Sequence, residues 1–261
     1  MLEIITKPLE IITKSLIFTE LELRKVRHDP IDIFVRSIQP ALWIIVFGSI
    51  FSRIRDLPTD GIPYIQFMTP GILAQSVMFM AIFTGISIVW ERDLGQMSKL
   101  LAAPVPRSSI AIGKALAAGV RGLMQAITIF ALAIVLQIPI IFNPLYIIAV
   151  ILVVFALGAA FASVSTFIAL VLKTRDRVMG VSQIMTMPLF FASNALYPIS
   201  LMPPWLQAVA LVNPLSYVVS ALRALLITGD LSHLPIDLLG VTITSIIFIS
   251  LSSIAFRRVG D

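Results

Sequence analysis

Residues 122–172 contain no Asp, Glu, Lys, Arg or His, a run of 51 positions. A helix crosses a hydrocarbon core in about 20 apolar residues, so the run holds two crossings and a tight turn. Gln137-Ile138-Pro139 supplies the turn signal and Asn143-Pro144 starts the return, which predicts spans over 115–136 and 145–172. The second of these carries Gly158, Ala159, Ala162, Ser163 and Thr166, a small-residue pattern that lets membrane helices approach closely and reads as helix packing. Two further uncharged stretches, 61–90 and 178–222, flank this region. Only 13% of the chain is charged and 58% is hydrophobic, against about 25% charged for a soluble domain. The chain 1–261 therefore reads as one all-α integral membrane domain, with no polar stretch long enough for a separate soluble one.

Residues 1–30 are mixed. Leu9, Ile12 and Leu16 share a helical face, with Ile17 and Leu21 beside it, while Lys14, Glu20, Glu22, Arg24, Lys25 and Arg27 are polar. The pattern fits an amphipathic helix lying in the membrane interface, or a solvated N-terminus. Met1-Leu2-Glu3 has no basic segment ahead of a single apolar core, so no cleaved signal peptide is expected. A first span is predicted over 32–51, short unless Arg36 snorkels, with Pro40 a candidate kink. A second runs over 65–90, where Pro70-Gly71 is expected to loosen the outer turn and Trp90 to anchor the interface. The stretch 178–222 is interrupted by Pro188, Pro198, Pro203, Pro204 and Pro214, and a last span over 236–256 ends in Arg257-Arg258.

Charge chooses the topology. With six spans and a re-entrant segment at 190–224, 16 of the 19 basic residues fall on one side, and only Arg53, Arg55 and Arg223 on the other. The positive-inside rule makes the richer side cytoplasmic and places both termini there. A seven-span topology puts Arg257 and Arg258 outside, against that rule. An ordinary extracellular loop with one interfacial helix over 204–211 remains the alternative to re-entry.

Much chemistry is excluded. There are no cysteines, two distant histidines (His28 and His233), and no zinc, nucleophile-elbow or phosphate-loop motif. Gly113-Lys114 resembles the end of a phosphate loop, but Ser108 stands where its first glycine belongs and Ala115 follows the lysine. No Asp or Glu lies well inside a predicted span, so no proton or cation relay is visible. Arg121 is the one charged residue that sits inside a span, and it reads first as a snorkelling arginine. The net charge of +5 belongs to cytoplasmic loops and does not point to nucleic acid.

The densest charge lies between the second and third spans, at Glu91, Arg92, Asp93, Lys99, Arg107 and Lys114. Leu94, Met97 and Leu101 fall at i, i+3 and i+7, one face of a short amphipathic helix that Pro104 and Pro106 terminate.

Two motifs here carry a resemblance that extends over nearly the whole chain. The first is Glu91-x-x-x-Gly95 followed by Leu100-Leu101-x-Ala103-Pro104-x-Pro106-Arg107. The second is Pro203-Pro204-Trp205-Leu206, then Asn213-Pro214-Leu215-Ser216-Tyr217 and Arg223. Together they resemble the membrane subunit of type-2 ABC exporters, the family of drug-efflux, lipo-oligosaccharide and polysaccharide export permeases. The resemblance implies that Glu91, Arg92, Leu94, Gly95, Met97, Leu101, Pro104, Pro106 and Arg107 form a cytoplasmic coupling helix that docks on an ATPase. Glu91 and Arg92 would then give charged contacts, Leu94, Met97 and Leu101 apolar ones, and Gly95 close approach. It likewise implies that Pro203, Trp205, Asn213, Pro214, Tyr217 and Arg223 belong to a re-entrant gate before the last span.

The implied assembly is two permease copies, identical or not, with two copies of a separate ABC-type ATPase that binds ATP and Mg. No cofactor or metal is expected on this chain, which would not itself be an enzyme. The implied setting is the plasma (inner) membrane and the implied cargo an amphipathic drug, lipid or glycan. A secondary transporter or channel, or a non-transporting assembly subunit, is the competing class; the first needs intramembrane acids and the second shows no ATPase partner. On this reading Glu91→Lys leaves the fold intact and uncouples transport from ATP hydrolysis.

Overall fold

The computed structural model describes residues 2–28, 30–51, 61–102, 105–172 and 174–258, and no strand occurs among them. The loop bearing Arg53 and Arg55 lies outside the described residues, as do Pro104 and Lys173. Helix α1 spans Leu2–His28 and α2 Pro30–Leu42; α2 passes through a π turn at Trp43–Phe47 into a single α-turn, α3, at Gly48–Phe51. Then come α4 (Tyr64–Asp93), α5 (Gln96–Ala102), α6 (Arg107–Val135), α7 (Pro144–Leu172) and α8 (Arg175–Phe191). A 3-10 turn at Ile199–Leu201 leads to α9 (Pro204–Val212), α10 (Pro214–Arg223) with a π turn at Ala224–Thr228, and α11 (Leu234–Arg258).

The apolar runs set these lengths. Four helices, α4, α6, α7 and α11, are long and apolar enough to cross a membrane, and Val35–Phe51 is a shorter apolar stretch. The helices α9 and α10, with the turn after it, bend by 81° at Asn213, the geometry of a broken span or a re-entrant loop. The turn after α6 falls where the sequence places it, with Gln137 in the left-handed region at φ 54 and Asn143 Oδ1 accepting the Leu145 N–H at 3.0 Å.

Two expectations are corrected. Pro70 does not loosen α4, which runs unbroken from Tyr64 to Asp93 with the proline buried inside it. The third apolar helix begins at Arg107, eight residues before the expected start at 115, so Lys114 stands inside a helix and not in a loop.

Helix α7 sits at the centre, packed on α4, α6, α8, α10 and α11. Its small residues make that possible. A Cβ on Gly158 would lie 2.8 Å from the Ala118 carbonyl oxygen of α6, and Ser165 Oγ donates to the Ile82 carbonyl of α4 at 2.8 Å. The small-residue stripe is helix packing, as the sequence indicates. The outer face of α11 is the opposite case: Ile236, Leu239, Ile243 and Ile246 are exposed, a surface suited to lipid.

Helix α4 also packs tightly on the segment after α8. A Cβ on Gly71 would sit 2.3 Å from the Ala195 carbonyl oxygen and 2.6 Å from its Cα. Both are backbone atoms and cannot swing away. Gly71→Ala is expected to destabilise the fold by about 1–3 kcal/mol, the range for overpacking. Thermal unfolding of the detergent-purified protein checks this, and an unchanged midpoint would rule out the close approach.

Candidate coupling site

The C-terminal turn of α4 closes in a left-handed residue. Leu94 N–H donates to Trp90 O at 2.9 Å and Gly95 N–H to Arg92 O at 3.0 Å, with Gly95 at φ +70. That backbone region carries a steric cost for residues with a Cβ, which is why glycine stands here. Among the described residues, nothing beyond its chain neighbours lies within 4 Å of where a Gly95 Cβ would be, so its role there is conformational. Helix α5 then runs Gln96–Ala102, and Pro106 caps α6, its carbonyl accepting the Ser109 N–H at 2.9 Å.

The expected apolar stripe of the short helix is not one face. Leu94 falls in the turn and is 72% exposed, whereas Met97, on α5, is 4% exposed and belongs to the core. Leu101 lies on α5, with its side chain outside the described residues. The reason is the glycine turn, which breaks the helical period between positions 94 and 97. Arg92 and Arg107 are half-buried, while Asp93, Gln96, Lys99 and Ala102 are exposed.

Glu91 is 6% exposed and points into the protein. Its two carboxylate oxygens accept from Lys114 Nζ at 2.9 and 2.7 Å. The same ammonium donates to Glu22 Oε1 of α1 at 3.0 Å. Arg121, about two turns further along the same face of α6, donates to the Glu22 carbonyl at 3.1 Å and lies 3.4 Å from Glu22 Oε2. Arg121 is therefore a partner in a buried ion cluster and not a snorkelling side chain. On the other flank Asp93 meets Arg175 of α8 at 3.6 Å, with both side chains about half exposed, and the Arg175 guanidinium lies 5.5 Å from the Trp90 ring centre.

Helix α1 docks on α6 with its polar face inward. Ser15, Thr19 and Glu22 are buried, and Thr19 Oγ1 sits 3.2 Å from the Gly113 carbonyl oxygen as donor. A Cβ on Gly113 would come 2.5 Å from Phe18 Cβ, so the glycine admits the helix. The apolar stripe Ile12, Leu16, Ile17 and Leu21 is left exposed, the arrangement of a helix whose oily side meets lipid.

The second group of expected site residues is held apart from the first. Pro203 precedes α9 and Trp205 is 68% exposed. Asn213 closes the bend: its Oδ1 accepts the Leu215 N–H at 2.9 Å and its Nδ2 donates to Leu189 O at 2.7 Å. Pro214 opens α10, and Tyr217 hydroxyl donates to Leu211 O at 2.6 Å, tying α9 to α10 across the bend. Arg223 donates to Phe67 O through Nε and Nη2 at 3.3 and 3.2 Å and to Asn194 O at 2.7 Å, with its guanidinium 3.8 Å from the Phe67 ring centre.

Sequence reasoning missed three things. Lys114 and Glu22 carry no local signal, since their partners lie 23 to 99 positions away. A groove of about 210 Å³ between α2, α4 and α8, lined among others by Gln39, Phe79, Phe83, Met179, Ser182 and Gln183, was also invisible.

The chain matches the ABC-2 type transporter family over residues 15–227. It is 31% identical over 208 residues to a putative transport permease, ycf38, of Cyanophora paradoxa, covering 77% of this chain and 70% of that one. It is 26% identical over 200 residues to the daunorubicin resistance ABC transporter permease protein DrrB1 of Streptomyces coeruleorubidus, again 77% of this chain and 70% of the relative. It is 28% identical over 203 residues to the inner membrane transport permease YadH of Escherichia coli K12, 75% and 77% of the two chains. With the family match covering most of the chain and four helices long and apolar enough to cross a membrane, the chain belongs to the ABC-2 type transporter membrane family.

Proposed function

We propose that this permease is the membrane subunit of an ATP-driven exporter in the plasma (inner) membrane, moving an amphipathic drug, lipid or glycan-type substrate outward. It works with a second permease copy and with two copies of an ABC-type ATPase, which bind ATP and Mg. Six spans, at Val35–Phe51, α4, α6, α7, α8 and α11, place both termini in the cytoplasm, and the bent α9–α10 pair enters and leaves on the outer side. The positive-inside bias supports that orientation.

The observation that carries the reading is the exposed α4–α5 turn. It presents Leu94 at 72% exposure, with Asp93, Gln96 and Lys99 around it, at the cytoplasmic junction of two long apolar helices. An exposed apolar residue ringed by charge suits a groove on a soluble partner. ATP closes the nucleotide-binding dimer, the groove carries the turn with it, and α4 and α6 move as levers. The groove between α2, α4 and α8 supports an amphipathic cargo: it is lined by phenylalanine and methionine with a few amide and hydroxyl groups, the usual make-up of a small-molecule site. The DrrB1 relative is named for daunorubicin resistance, which fits cargo of that class.

The test is co-purification from mild detergent after co-expression with the candidate ABC ATPase. The permease is expected to bring the ATPase down near one-to-one, and Leu94→Asp to reduce its recovery at least about tenfold, the effect of about 1.4 kcal/mol at a buried anchor. Unchanged recovery with Leu94→Asp would remove the turn from the dock. Absence of any ATPase, even after crosslinking in the membrane, would overturn the reading.

A further inference from the structure

Four charged side chains from three helices meet behind the coupling turn. Lys114 lies between the carboxylates of Glu22 and Glu91, and Arg121 reaches Glu22 from the next turns of α6. The side chains of Lys114, Glu22 and Glu91 are each under 10% exposed and that of Arg121 is 15% exposed. Among the described residues, two acids and two bases make up the cluster, and their charges balance. Inside a low-dielectric site, charges hold one another far more firmly than in water, and withdrawing one leaves its partner buried and uncompensated.

The flanking pair behaves differently. Asp93 and Arg175 are 3.6 Å apart with both side chains about half exposed. Water screens such a pair, and it holds its helices weakly. By its ion pairs, then, the end of α4 is held firmly to α6 and, through Lys114, to α1, and weakly to α8. The α1–α6 contact adds to the first link, since Thr19 bonds to the Gly113 carbonyl immediately before Lys114.

We propose that Lys114 is a positioning residue of the transport cycle: it binds the coupling turn, through Glu91, to the N-terminal helix, through Glu22, so that α1 travels with the dock. The consequence is that ATPase closure moves a helix whose exposed stripe, Ile12, Leu16, Ile17 and Leu21, is apolar and suited to the membrane interface. Glu91 then acts inward, as the link, and not as a contact to the ATPase. This inference rests on the reading of the α4–α5 turn as the dock.

The chain has no native cysteine, so one introduced thiol reports alone. A bimane on Ile17→Cys, which is exposed, is followed in the co-purified permease–ATPase complex, nucleotide-free and after vanadate trapping. With the cluster intact the emission is expected to shift between the two states. Lys114→Met is expected to keep the ATPase bound and lose the shift. Lys114→Arg keeps a cation between the carboxylates of Glu22 and Glu91 and is expected to recover it. A shift that persists in Lys114→Met overturns the proposal, as does no shift in the unaltered complex. If Lys114→Met does not fold, Glu22→Gln decides alone: it removes the α1 carboxylate and leaves the Glu91–Lys114 pair, and a full shift in this variant, folded and ATPase-bound, overturns the proposal. Failure of the docking reading looks different, since the ATPase is then missing from every preparation.

Discussion

Glu91→Lys is expected to destabilise the permease on its own, with no ATPase present. The substitution sets a second ammonium against Lys114, where two oxygens of Glu91 now lie at 2.9 and 2.7 Å, and takes a negative charge from a site less than 10% exposed. Breaking a buried ion pair from one side costs about 3–5 kcal/mol, because the remaining charge stays buried without its partner. For a chain of this size that corresponds to a midpoint lower by roughly ten degrees. This replaces the expectation, drawn from sequence, that the variant folds normally and merely fails to couple. Thermal unfolding of the isolated, detergent-purified permease measures it. Adding Lys114→Met, which removes the opposing ammonium, should recover part of the loss, since neighbouring charges couple and do not add independently. A Glu91→Lys midpoint equal to that of the unaltered protein would contradict the buried geometry.

The second large effect is at the other end of the molecule. Arg223 donates to two carbonyls on different segments, Phe67 of α4 and Asn194 of the stretch after α8, while stacking on the Phe67 ring at 3.8 Å. Only a planar fork can do all three. A lysine brings one point charge and no stacking plane, so Arg223→Lys is expected to cost about 2–3 kcal/mol, the worth of a charged hydrogen bond plus part of a cation–π contact. The tie between α4, α10 and the segment at 193–196 should loosen. Ser193 is 1% exposed, so a thiol at Ser193→Cys is protected in the native protein. Adding Arg223→Lys is expected to raise its labelling by a membrane-impermeant maleimide and lower the unfolding midpoint. Protection unchanged in both measurements would show that the guanidinium is not the tie.

The two sites share a construction rule. Each is a charged side chain placed where one helix meets two other segments, with every strong partner supplied from outside its own element. At Lys114 the partners are carboxylates, whose charges balance those of the two bases. At Arg223 the partners are backbone oxygens, which polarise but carry no charge. The first resists being pulled apart; the second fixes a backbone path at the bend where α9 and α10 meet at 81°.

Much of this was legible in the chain itself. Uncharged runs too long for any loop dictate helices, and α4, α6, α7 and α11 follow those runs to within a turn or so, the start of α6 excepted. Turn chemistry at Gln137–Asn143 and the prolines around Asn213 mark the breaks, because φ and the missing proline N–H are properties of single residues. The small residues of α7 announced close packing for the same local reason. What the tertiary structure alone decided is direction. Period placed Leu94 and Met97 on one face, yet one is in solvent and the other in the core, because a left-handed residue rotates everything after it. Amphipathicity identified α1 as a surface helix, but not that its polar face, Ser15, Thr19 and Glu22, is the buried one. Glu91 looked like a surface charge until Lys114 arrived from 23 positions away and Glu22 from the far end of the chain. Local pattern reports what a residue needs; which partner meets that need is settled only when distant helices come together.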